Sequence, residues 1–421
     1  MNKEFYKYVF FALLSIAISG CKSYEKAEDI NWAELSEVKN PSVVLTSPDD
    51  AAKLALVGNL EINELRLKAA SAANIAKETG WWEDPELDFD ILRIIESADH
   101  PFLGGANLKF TIPLSGVNKA SKKAAEAYHE VELQKIKAQE LDVAIEAKKT
   151  IIAIYYNQMK IKTLESYEKD AGIIRATKSA ERLYKAGEYT LINLNSVKRQ
   201  EHAREHERME LEDEKTELEN KFRALAGLHP KTHIKLSFSL SLPHDKDIKL
   251  KEIDILSLTS HPIVKTALAK LEHTELELKT EILKQYPELK IGPLAGNEEG
   301  KDRIGVVAGI TLPLWNRNRK GIAEAEANRN EARLSAINIW KSLALESNAA
   351  FLKAEKLLNH PPAPVGDSPY ADRLLEAGEM TPIDYLSTRD EILKQSLDEI
   401  SWRASIATSI TELSKYTTET L

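Results

Sequence analysis

An eleven-residue stretch occurs twice in this 421-residue chain. Arg182-Leu183-Tyr184-Lys185-Ala186-Gly187-Glu188-Tyr189-Thr190-Leu191-Ile192 returns 191 residues later as Arg373-Leu374-Leu375-Glu376-Ala377-Gly378-Glu379-Met380-Thr381-Pro382-Ile383. Each copy lies between long charged, Leu- and Ala-rich segments of helical period. The Gly supplies the left-handed residue that ends one helix, and the Thr a cap for the next. The stretch predicts a tight turn between antiparallel helices, built twice. Other anchors recur in the same order about 200 residues apart: Pro85-Glu86-Leu87 with Pro287-Glu288-Leu289, Thr111-Ile112-Pro113-Leu114 with Thr311-Leu312-Pro313-Leu314, Asn118 with Asn318, and Ala125-Glu126-Ala127 with Ala325-Glu326-Ala327. The chain is one structural unit duplicated.

Before the first unit, Lys3 and Lys7 precede a short apolar run, Val9 to Ile18, that ends at Ser19-Gly20-Cys21. The run is too short to span a bilayer and has the layout of an export signal, residues 1–20. Small residues before a lone Cys resemble a bacterial lipobox, in which Cys21 is lipidated and becomes the first residue. Lys22 follows it, not the Asp of inner-membrane retention, so outer-membrane sorting is expected. A single cysteine rules out a structural disulfide and any Cys-based metal cluster. A composition of 43% apolar, 29% charged and 7% aromatic residues favours long solvated helices over a compact enzyme core. The net charge of −9 and the lack of a basic stripe argue against nucleic acid.

No apolar run of about 20 residues follows Cys21, so strands must do any membrane crossing. Residues 21–48 read as an extended, lipid-anchored leader. The first repeat, 49–227, opens with a helix at Ser47-Pro48-Asp49 that ends near Gly80. Its β-hairpin, 86–114, alternates Leu87, Phe89 and Ile91 with Asp88 and Asp90, then has a polar loop near Ser97–Gly105. Its second strand alternates Leu108, Phe110, Ile112 and Leu114 with Lys109 and Thr111. The hairpin at 287–314 repeats the pattern through Leu289, Ile291, Ile304, Val306, Ile310 and Leu312. Strands of about 9–11 residues suit an outer membrane. Four strands cannot close a barrel, and open edges in lipid leave backbone groups unsatisfied. Chains must therefore pool their strands; two would give eight and three would give twelve.

After each hairpin the helical period returns. Residues 119–184 read as one coiled-coil helix of about 100 Å, turning at Gly187 and running back through 190–226. Residues 228–252 form a small mixed connector. The second repeat, 253–421, holds helices at 253–284, 317–358 and 382–415. The Pro-rich run His360–Pro369 predicts a helix break just above the second turn.

A duplicated helix–hairpin–helix–turn–helix behind an export signal and lipobox resembles the TolC-like outer membrane factor family. The run from Thr311 through Trp315-Asn316-Arg317-Asn318-Arg319 to Ala325 looks closest to its CzcC-like, cation-efflux branch. The resemblance covers about residues 49–415. It implies a mainly α fold with a small β part, in which duplicated long coiled-coil hairpins form an α-helical periplasmic tunnel. The two β-hairpins would contribute four strands to a trimeric, twelve-stranded outer-membrane β-barrel. It also implies a homotrimer that passively conducts substrate, metal cations first, from an inner-membrane pump and a periplasmic adaptor protein. No catalytic residues, cofactor or bound metal are implied.

Position by position, the resemblance places adaptor-docking tips at 184–190 and 375–381, with Leu183, Tyr184, Gly187, Glu188, Leu374, Leu375, Gly378 and Glu379 as their residues. Tyr184 matches a family tip tyrosine, whereas the second copy has Leu375. Asp384 matches one position of an acidic ring that narrows the tunnel mouth. Where a second acid would follow, this chain has Ser387. Three Asp384 carboxylates near one axis would favour cations and gate the tip.

Two other classes compete. His202-Ala203-Arg204-Glu205-His206 fits the inverted zinc-protease motif, with Glu281 as a distant third ligand, but it lies within the charged returning helix with no enzyme domain around it. A periplasmic coiled-coil scaffold lipoprotein is the second. No Gly-rich phosphate loop or nucleophile elbow is present. Trp81, Trp82, Tyr286 and Trp315 fall at helix–strand junctions, where a membrane-interface belt or junction packing would place them.

Overall fold

In the computed structural model, residues 22, 24–37, 41–93, 95, 102–240, 250, 252–298, 301–366 and 369–417 are described. The export signal and Cys21 lie outside them, as does most of the first hairpin loop. Among the described residues ten α-helices and six strands follow in chain order: α1 (Trp32–Leu35), β1 (Ser42–Leu45), α2 (Pro48–Gly58), α3 (Leu60–Glu78), β2 (Glu86–Arg93), β3 (Phe102–Pro113), α4 (Val117–Glu168), α5 (Ala171–Lys185), α6 (Leu191–Leu225), β4 (His233–Leu236), α7 (Pro262–Leu283), β5 (Glu288–Glu298), β6 (Lys301–Ile310), α8 (Arg319–Asn359), α9 (Pro369–Ala377) and α10 (Pro382–Ser414). Helices α3, α4, α7 and α8 lead away from a four-stranded sheet; α5, α6, α9 and α10 carry the chain to the two turns and back. Among the described residues no helix is long and apolar enough to cross a membrane.

The leader is not extended throughout, since Trp32–Leu35 is a turn of helix. Its last residues form β1, which pairs in parallel with β4 and matches Val43 to Ile234 and Leu45 to Leu236. Leu45 and Ile234 join Ala51, Ile62, Val143, Ile151 and Phe222 in one core, so burial fixes this end of the leader. The sheet also takes more chain than expected: β3 includes Gly104 and Gly105, paired with Ile91 and Asp90.

Two of the three long helical runs of the first repeat are broken, and each break has a local cause. The helix from Pro48 divides at Asn59, whose side chain accepts from the Ile62 N–H at 3.0 Å and donates to the Leu225 carbonyl at 2.9 Å. A Cβ on Gly58 would lie 2.1 Å from the Ala226 carbonyl oxygen, so glycine is required for this backbone approach. The expected 119–184 helix ends at Glu168 and restarts at Ala171, capped by Asp170 through the N–H groups of Gly172 and Ile173. In the second repeat the Pro-rich run breaks the helix as expected, between α8 and α9. The Gly187–Asp170 and Gly378–Pro361 separations are equal, so the two repeats break at matching places by different means.

Recurrent Asn118 and Asn318 clamp the sheet to the helices. Asn118 donates to the Trp81 carbonyl at 3.0 Å, and Asn318 to the Glu281 carbonyl at 2.8 Å. His261 caps α7, its Nδ1 accepting the Ile263 N–H at 3.2 Å, while its ring stacks on Tyr416. Burial, and then the Lys415 ammonium, push its pKa down. The native state therefore binds this proton more weakly than the unfolded chain. The cap's contribution is full above the unfolded value of about 6.5 and is lost as pH falls below it. Asparagine keeps a cap acceptor without titrating. His261→Asn should flatten the fall in thermal stability between about pH 7 and pH 5, a difference of about 1 kcal/mol, read by melting curves across that range.

Candidate functional site

The sheet runs β2-β3-β5-β6, all antiparallel, and the β3–β5 pairing joins the two repeats. Only β2 and β6 therefore carry unpaired edges. One face presents Leu87, Phe89, Ile91, Phe110, Ile304, Val306 and Ile310, all exposed. The other carries charge: Lys109 pairs with Asp88 at 2.5 Å and Lys290 with Glu86 at 3.0 Å, with Asn107 and Thr111 buried beside them. Pro293 lacks an N–H, and the β3–β5 ladder is interrupted opposite it and Gly292. There the strands close up, so a Cβ on Gly292 would lie 1.6 Å from the Leu108 carbonyl oxygen. Trp81, Trp82, Tyr286 and Trp315 are exposed at the sheet's helical end.

At the far end the two turns have one geometry. Gly187 and Gly378 have φ of +81° and +72°. The N–H of Glu188 reaches the Leu183 carbonyl at 2.9 Å, and that of Glu379 the Leu374 carbonyl at 2.9 Å. Thr190 and Thr381 cap α6 and α10. A cleft of about 520 Å³ separates the turns, lined by Leu183, Glu188, Leu375, Gly378 and Glu379 among others. Tyr184 is exposed on the first turn. Asp384 is exposed as well, and it bonds reciprocally with the α10 N-cap: its carboxylate accepts the Thr381 hydroxyl at 2.6 Å, and its N–H donates to that hydroxyl oxygen at 3.2 Å.

A polar cluster above the turns has no counterpart in the sequence reading. Arg204 on α6, buried, donates to Asp390 on α10 at 2.9 Å, and the Tyr167 hydroxyl on α4 donates to the same carboxylate at 2.5 Å. Arg389 bonds Asp170 at 2.7 Å. The Tyr385 hydroxyl donates to Asp372 at 2.5 Å, and Arg175 pairs with Glu376 at 2.5 Å. Burial, followed by the carboxylate each one serves, raises the pKa of both tyrosines. Tyr385 fits because residue 172 is glycine: a Cβ there would lie 2.0 Å from the phenol oxygen. All but Tyr385–Asp372 join elements far apart in sequence, which hid them. The one local signal was Arg204 and Asp390 lying on the returning helices of opposite repeats.

The zinc-protease constellation is not assembled. His202 and His206 are exposed on α6, near Glu205 and Glu210 at 3.7 and 3.3 Å respectively. Glu281 instead accepts from Asn318 and Lys284 at the α7–α8 junction. Among the described residues no group of three or more His, Cys, Asp or Glu could hold a metal ion.

No family model matches the chain, and neither does any curated relative by sequence. Solved structures do. The Campylobacter jejuni CmeC outer membrane channel is 17% identical with a TM-score of 0.66, covering 94% of this chain and 90% of that one. A Pseudomonas aeruginosa membrane protein gives 14%, 0.69, and 94% and 96% coverage. The open Neisseria gonorrhoeae MtrE outer membrane channel gives 13%, 0.66, and 94% and 98%. The chain has the fold of these channels along almost its whole length: mainly helical, with a small β part.

Proposed function

We propose that this protein is a subunit of a homotrimeric outer-membrane channel of the TolC-like type. Three chains pool their strands into a twelve-stranded barrel, lipid lies against the apolar sheet face, and Cys21 carries the lipid anchor. The observation behind this reading is the sheet itself: an exposed apolar face, a charged opposite face and two open edges. In lipid each unpaired backbone group costs several kcal/mol, and edge-to-edge closure by sister chains removes that cost. The charged face then lines the bore, where Glu86, Asp88 and Asp90 outnumber Lys109 and Lys290 among the strand residues named above.

Conduction is passive. An inner-membrane pump and a periplasmic adaptor supply the cargo, the adaptor seating on the two turns through Leu183, Tyr184, Glu188, Leu374, Leu375 and Glu379, of which Leu183, Glu188, Leu375 and Glu379 line the cleft. Metal cations are the cargo favoured by the run after Thr311. Asp384 has two roles in this account. It closes a helix cap, and in a trimer it sets three carboxylates about one axis. Asp384→Asn keeps an acceptor for the Thr381 hydroxyl and removes the charge. In planar bilayers this variant should show weaker cation preference and weaker divalent block than the parent. Unchanged conductance and block would remove Asp384 from the gate.

A further inference from the structure

A cavity of about 580 Å³ lies where α4, α7 and α8 approach the sheet, and the duplication builds its walls. Helix α4 contributes four residues between Ser121 and Tyr128, and α8 the four that stand 200 residues on, between Gly321 and Asn328. Helix α7 forms the floor and packs against both. Its counterpart in the first repeat is α3, since the two helices start from caps 202 residues apart, at Asn59 and His261. The repeats differ where the cavity carries chemistry. His273 and Glu277 of α7 stand where α3 has Ser71 and Ile75; Tyr128 stands where the second repeat has Asn328, and Glu324 where the first has Ala124.

The surroundings of His273 fix its tautomer. Its Nδ1 lies 3.0 Å from the Ala124 carbonyl oxygen, which can only accept, so Nδ1 holds the ring proton. In the neutral ring Nε2 is then a bare acceptor, and it faces another, the Glu277 carboxylate, at 3.3 Å. Two acceptors this close need a second proton on the ring or a cationic donor that bonds both. The rest of the cavity suits the cation. The Tyr128 ring stands 5.4 Å from the His273 ring and tilted at 49°, which offers an aromatic face. Among the described lining residues are three carboxylates, Glu277, Glu281 and Glu324, and no lysine or arginine. Glu281 accepts from Lys284 and Asn318, and Glu324 lies 3.7 Å from Lys320, whereas the partner of Glu277 is His273 alone among the described residues. A metal ion lacks ligands here, because among those residues no three of His, Cys, Asp or Glu converge to hold one.

We propose that this cavity is a binding site for a primary or secondary organic ammonium ion. One N–H bonds His273 Nε2, a second bonds the Glu277 carboxylate, and the charge lies against the Tyr128 ring. The organic body covers the small residues of the walls, Ala125 and Ala325 among them. Hydrogen bonds to charged groups are the strong ones, so the N–H groups, and not charge alone, set the affinity. All the lining residues belong to one chain, so the site stands or falls apart from the ring of chains proposed above.

The test is calorimetric titration of the full-length, detergent-solubilised protein with 2-phenylethylamine, at a pH where an ordinary imidazole is neutral and an alkylamine charged. Saturable binding is expected. The trimethylated form of the same amine keeps the charge and the ring but has no N–H, and it should bind at least about tenfold more weakly. Glu277→Gln should weaken 2-phenylethylamine about ten- to a hundred-fold. Glu272→Gln makes the same change of charge on α7 outside the cavity and should leave the affinity unaltered. The Glu277 side chain is 45% exposed, so the fold should survive its exchange, and melting curves that coincide with the parent's check this. No saturable binding to the parent protein would overturn the site. Equal affinity for the trimethylated form, or an unaltered affinity in Glu277→Gln, would do the same.

Discussion

Asp390→Ala is expected to loosen the turn end of the molecule more than any other single change outside the sheet. The substitution leaves Arg204 buried without the carboxylate it donates to, and takes the acceptor from the Tyr167 hydroxyl as well. Removing one partner of a buried ion pair costs about 3–5 kcal/mol. The loss should be local, because α5 and α9 are short helices separated by breaks from α4 and α8. Amides of α5 and of the first turns of α10 should exchange with solvent at least about a hundred-fold faster, while those around Phe222 hold their protection. Tyr167→Phe/Arg204→Met/Asp390→Leu removes every polar member together and should recover most of the loss. Exchange unchanged in Asp390→Ala would mean that the cluster does not hold the tip.

The second large effect separates the faces of the sheet. Phe89→Arg puts a guanidinium on the apolar face, at a cost of about 2–4 kcal/mol per copy if it lies near mid-bilayer. A three-chain barrel carries that cost three times, so the assembled form should disappear from outer membranes. Asp90→Arg, one residue on, places the same group on the charged face. It should leave assembly intact and shift ion selectivity towards anions. Quantifying the assembled species by unheated gel electrophoresis of membrane extracts checks both. Equal tolerance of the two changes would contradict the assignment of faces.

Much of this architecture is legible in the chain because duplication repeats each signal. Gly187 and Gly378 are turn glycines with the backbone sign expected of them, and the alternation through Leu87, Phe89 and Ile91 gives the faces of β2. The matched asparagines at 118 and 318 mark the clamps at the sheet's end, although their role needed coordinates. Legibility fails where tertiary contact overrides local pattern. Nothing in the helical period around Asp170 signals a stop, since Asp is tolerated within charged helices. The break exists because its carboxylate caps α5 and pairs with Arg389, 219 residues on. The leader's last residues likewise lack a partner until β4 is placed beside them. Asp384 shows the opposite case: the resemblance supplied a gate, and local geometry adds a reciprocal contact with the Thr381 helix cap.

Everything about conduction depends on sheet edges that one molecule leaves open. The direct measurement is the mass of the purified, detergent-solubilised protein, by light scattering corrected for bound detergent, with the same sample then added to a planar bilayer. Three chains per particle and stepwise conductance are the predicted result. A particle of one chain, soluble without detergent and silent in the bilayer, would contradict it.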